Sequence, residues 1–131
     1  MEFVPARLND IKTAVKAPEL TSEPIDLRHL RRYTFGDQDL EREVLSLFLT
    51  QLPQTITALK SASSEHDWRI AAHTLKGSSR AVGAWRLASL AEHAEAVSGG
   101  VNRAAWGEAV SRIEAVASDV RAFIDGVYAC R

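Results

Sequence analysis

Apolar residues recur three and four apart along most of this chain, and no run of β-branched or aromatic residues alternates with period two. That spacing puts one apolar stripe on each of a series of helices and leaves no half-buried strand from which to build a sheet. The expected class is all-α. The first long stripe comprises Leu40, Val44, Phe48, Leu52, Ile56 and Leu59, interrupted by Pro53, which lacks a backbone donor and is expected to kink the helix or start a new one. A second helix is expected from about Glu65 to Val82, with Gly83 at its end. A third spans Ala84 to Ser98, with Leu87, Leu90, Ala91 and Ala94 inside. After a Gly99-Gly100 turn, Asn102 can cap a last helix whose seam is Trp106, Val110, Ile113, Ala117, Val120, Ile124 and Val127. Four such helices with short connections pack as an antiparallel up-and-down four-helix bundle. Ahead of them, Asp26 can cap a short helix through about Tyr33, and Gly36-Asp37 breaks and restarts the chain. Residues 1–24 are expected to be an extra N-terminal helical arm, with a short helix around Arg7 to Lys16 before Pro18. Residues 25–131 then form the bundle domain.

Composition narrows the function classes. A chain of 131 residues with 46% hydrophobic and 25% charged residues can bury its own core as one domain. Its formal net charge of -1 lacks the basic excess that nucleic acid or anionic lipid would select, so any functional charge is local. The one cysteine, Cys130, has no partner in the chain, as in a reducing compartment. No stretch approaches the roughly 18 apolar residues of a membrane span, and Met1 to Leu20 lacks the apolar centre of a signal peptide. A cytoplasmic protein that binds neither nucleic acid nor membrane is the expectation.

The second helix carries the chemistry. With His73 at zero and about 100° per residue, Trp68, Ala71, Leu75, Ser78, Ser79 and Val82 fall between about 140° and 240°, toward the core. The opposite side collects Arg69, His73, Lys76, Gly77 and Arg80. His73 is therefore expected in solvent. A neutral imidazole with a pKa of about 6.5 is a competent nucleophile near pH 7 without a general base. Lys76 and the neighbouring arginines could offset the two negative charges that a phosphoryl group would bring. Gly77 costs about 1 kcal/mol against alanine in a helix, but it clears space beside the imidazole.

The run Ala72-His73-Thr74-Leu75-Lys76-Gly77-Ser78-Ser79, followed by Val82-Gly83-Ala84, resembles the signature of histidine-containing phosphotransfer (HPt) domains. Ile25-Asp26-Leu27 through Gly36-Asp37 and the Leu45-to-Pro53 stretch resemble the front of that family, so the likeness covers about residues 25 to 98. The resemblance implies a four-helix bundle phosphorylated on Nε2 of His73, with Lys76 and Gly77 supporting docking and transfer. It implies receiver domains of response regulators as partners, together with a hybrid or other histidine kinase. Arg69, Ile70 and Arg80 are the expected docking residues. No cofactor is expected in the chain, Mg²⁺ belonging to the receiver, and a monomer suffices. A phosphate-cradling G-x-x-x-x-G-K-[ST] loop is absent, so the expected role is phosphocarrier rather than ATP-using enzyme.

Two other classes fit the same helices. One is a helical adaptor that binds a signalling partner without phosphorylation. The other is the dimerisation and phosphotransfer fragment of a histidine kinase, although Thr74 stands where an acid would follow the histidine. His66 and His73 share a face but lie about 10.5 Å apart along the axis, too far to hold one zinc ion. His29 and His93 are expected to be structural or surface residues, and Trp68, Trp85 and Trp106 to pack in the core or at its rim.

Overall fold

The computed structural model describes residues 23–98 and 103–128. The arm helix around Arg7, the Gly99-Gly100 turn, the Asn102 cap and Cys130 lie outside the described residues. The elements, in chain order, are α1 (Leu27–Thr34), α2 (Gln38–Lys60), α3 (Glu65–Val82), α4 (Trp85–Ala96) and α5 (Arg103–Val127). Helices α2 to α5 pack each against the next, and α5 returns to α2, which closes the ring of an antiparallel bundle. α1 lies across α2 and α3. None of the described helices is long and apolar enough to cross a membrane.

Local signals start these helices. Asp26, Asp37 and Ser64 each accept a hydrogen bond from the backbone N–H three residues on, satisfying a donor that the first turn leaves open. Of the two expectations for Pro53, a kink or a new helix, the new helix is not found: α2 is one element from Gln38 to Lys60. Phe48, Leu52, Ile56 and Leu59 are buried on one stripe to either side of it. Burying several such side chains, at about 1.5–3 kcal/mol each, outweighs the loss of one backbone hydrogen bond.

The start of α2 also departs from the expected stripe. Leu40 is exposed and Val44 only partly buried, whereas Glu41 and Leu45 face inward. Glu41 is 1% exposed. Its carboxylate accepts from Arg31 Nε at 2.7 Å and Nη2 at 3.3 Å, and from the Tyr128 hydroxyl at 2.7 Å. A buried anion is tolerated because donors on α1 and beyond α5 replace its water. Burial, and then the bond to Glu41, push the Tyr128 hydroxyl up to about 12.

Two indoles secure the other end. Trp68 and Trp106 stack with centroids 4.5 Å apart and planes 7° from parallel. Trp68 Nε1 donates to the Ala94 carbonyl at 2.8 Å and Trp106 Nε1 to the Val97 carbonyl at 3.3 Å. The Val97 carbonyl just past α4 is thereby bonded from α5, and the Ala94 carbonyl, which also accepts from Val97 N–H at 3.3 Å, is tied to α3.

Gly83 joins α1 to the bundle. It ends α3 in the left-handed conformation (φ 81°), and its carbonyl accepts from Asp26 N–H at 2.9 Å. A Cβ placed there would lie 2.8 Å from the Asp26 carbonyl oxygen. Gly83→Ala should therefore lower stability by about 3 kcal/mol in chemical denaturation, from the strained backbone together with the clash. An unchanged midpoint would show that the α1 contact is dispensable.

Candidate functional site

The angular expectation for α3 holds at its core face. Trp68, Ala71, Leu75, Ser79 and Val82 are buried, with Ala72 beside them. Ser78 Oγ donates back to the Leu75 carbonyl at 3.3 Å. On the opposite face the His73 side chain is 69% exposed.

α4 runs back along α3 and brings a residue the sequence did not single out. Glu95 Oε2 lies 3.2 Å from His73 Nδ1, and Glu95 Oε1 lies 2.7 Å from Lys76 Nζ. The Lys76 hydrogen bond, followed by that of His73, holds the Glu95 carboxyl below the usual carboxylate range. An ionised carboxylate only accepts, so the hydrogen of this contact belongs to His73 Nδ1. In the neutral ring Nε2 then carries the free lone pair and points away from Glu95.

The expected cations are present but engaged. Lys76 is only 17% exposed and bound to Glu95. Arg80 lies 3.7 Å from Glu92 on α4, and Arg69 lies 3.9 Å from Glu65 one turn back. The sequence placed these side chains on the His73 face as open charge; α4 supplies the acids that pair two of them. Exposed pairs of this kind contribute about 0–1 kcal/mol, so the two arginines remain easily released.

Toward α2 the face is open. Ile70 is 53% exposed, and a Cβ on Gly77 would meet nothing within 4 Å. Beyond them lies a groove of about 410 Å³ between α2 and α3, lined in part by Thr55, Ala58, Ile70, Ala71 and Thr74. His73 thus stands between an ion-paired flank on the α4 side and an open flank on the α2 side. That arrangement offers an outward nucleophilic nitrogen, a nearby ammonium and room for a convex partner.

A family model described as Hpt domain matches residues 43–123, from the second turn of α2 nearly to the end of α5. No curated protein and no solved structure matches the chain.

Proposed function

The chain belongs to the Hpt domain family, whose role is phosphotransfer in two-component signalling, and from that premise we propose that His73 carries the phosphoryl group between receiver-domain aspartates. The observation that carries this reading is the Glu95 carboxylate bridging His73 Nδ1 and Lys76 Nζ. In the proposed step, the Nε2 lone pair attacks the phosphorus of a receiver's aspartyl phosphate. The P–N bond forms as the P–O bond to the aspartate breaks, and the aspartate leaves as a carboxylate. The ring keeps its Nδ1 proton and gains positive character, which Glu95 opposes with its negative charge across 3.2 Å. Lys76 stands on the same carboxylate, one turn from the imidazole, where it can turn toward the phosphoryl oxygens. Such transfer asks mainly for positioning and charge stabilisation, so the chain needs no cofactor of its own. Return of the group to a second receiver is the same step reversed.

Incubation of the chain with a labelled phospho-receiver tests this. Label should pass to the chain, vanish in acid and survive alkali, as a phosphoramidate does and a serine ester does not. Acid-stable label would move the site to a hydroxyl such as Ser78 and overturn the reading.

A further inference from the structure

We propose that Arg121 on α5 is a positioning residue for transfer: by bonding the backbone carbonyl that Pro53 leaves without a donor, it braces the distal half of α2, and with it one wall of the groove beside His73. Within an α-helix the carbonyl of Leu49 is bonded by the N–H four residues on, and position 53 is the proline of α2, which has no N–H. Arg121 Nη2 donates to that same carbonyl at 3.3 Å, from 72 positions away in the chain. Leu49 is only partly buried, so water would serve the carbonyl for stability alone. Water does not tie α2 to α5. The guanidinium does.

The tie has a second point. Lys60, the last residue of α2, is ion-paired with Glu114, which lies two turns before Arg121, as the antiparallel course of α2 and α5 requires. The stretch after Pro53 is thereby held to α5 at both ends, over about 16 Å. On its other side, Gln54, Thr55 and Ala58 line the groove that faces Ile70, Ala71 and Thr74, the last of these next to His73 in sequence. To either side of Pro53 the Thr50 and Thr55 hydroxyls donate back to the Ser46 and Gln51 carbonyls at 3.0 and 3.2 Å, an arrangement that weakens and bends a helix. α2 is therefore softest where Arg121 holds it. A groove wall that moved would spread the encounter with a receiver over many geometries, and a braced wall presents one.

The effect on transfer rests on the phosphotransfer reading; the bracing of α2 does not. The test uses the full chain with Arg121→Ala, Arg121→Lys, Pro53→Ala and Pro53→Ala/Arg121→Ala. Hydrogen exchange at residues 54–60 should quicken about fivefold in Arg121→Ala, the size of one net hydrogen bond, with α3 and α4 unchanged. Arg121→Lys, which keeps a donor, should restore most of the protection. In Pro53→Ala the new N–H bonds the Leu49 carbonyl, so removing Arg121 there should change little. With a labelled phospho-receiver, Arg121→Ala should raise the concentration for half-maximal transfer several-fold and leave the saturating rate nearly unchanged, again only where Pro53 is present. Unchanged exchange in Arg121→Ala overturns the proposal, and so does equal quickening throughout the bundle, which marks a general stability role. The same quickening with and without Pro53 overturns it too, because the Leu49 carbonyl is then not the target. Exchange as expected with unaltered transfer overturns the positioning role. Exchange as expected with no label on any protein upholds the brace and rejects the phosphotransfer reading instead.

Discussion

Replacing His73 by glutamine should abolish phosphoryl uptake from a receiver while leaving helical content and melting temperature nearly unchanged. The side chain is mostly exposed and its one described polar contact is Glu95. Glutamine keeps an amide that can donate to that carboxylate, and a surface change of this kind shifts stability by no more than about 0.5 kcal/mol. What it lacks is a nitrogen lone pair able to attack phosphorus, because the amide lone pair is delocalised into the carbonyl. The two readouts are the label on the protein and a thermal melt. Label retained at the level of the parent would remove His73 from the site altogether.

Gly77→Leu should have the opposite signature to Gly83→Ala: an intact or slightly more stable bundle and a collapsed transfer rate. Leucine exceeds glycine in helix propensity by roughly 0.8 kcal/mol, and the space around position 77 is open. The same bulk stands one turn from the imidazole, on the face that a receiver approaches in the phosphotransfer reading. A displacement of about 1 Å in the reacting atoms costs on the order of 100-fold in rate, so a loss of about that size is expected in single-turnover transfer. A lowered melting temperature would make Gly77 a packing residue. An unchanged rate would put the docking face elsewhere.

These two glycines mark where sequence reasoning succeeds and where it stops. Gly77 was placed on the solvent side by the phase of Trp68, Leu75 and Val82, and periodicity alone suffices for that because one helix fixes every angle on it. Gly83 was legible as a helix end, yet its close approach to Asp26 was not, since that contact depends on how α1 crosses the bundle. Glu41 shows the same limit. Its neighbours Leu40 and Val44 carry the apolar pattern, but the phase is decided by Arg31 and by Tyr128, the latter 87 positions away, which together make a buried carboxylate tolerable. At Pro53 the local rule about one donor leaves a kink and a new helix open, and it is the buried stripe on both sides of it that keeps α2 one element. At the site, His73, Lys76 and Gly77 lie within one turn and could be read together. Glu95 is 22 positions from His73 and becomes visible only once α4 is laid along α3. The one available signal was Glu92 and Glu95 three apart on a helix otherwise rich in alanine and leucine.

The sharing of Lys76 with Glu95 bears on how deep a resting place His73 offers its cargo. In the phosphotransfer reading, an unshared ammonium beside the imidazole would draw in a phosphoryl dianion and hold it, and every 1.4 kcal/mol of such grip would slow departure tenfold if it were absent from the transition state. Here the ammonium already has an anion at 2.7 Å, and that anion also repels the incoming oxygens. In that reading the shared ammonium grips the phosphoryl group less tightly than an unshared one would, and the group leaves His73 correspondingly faster.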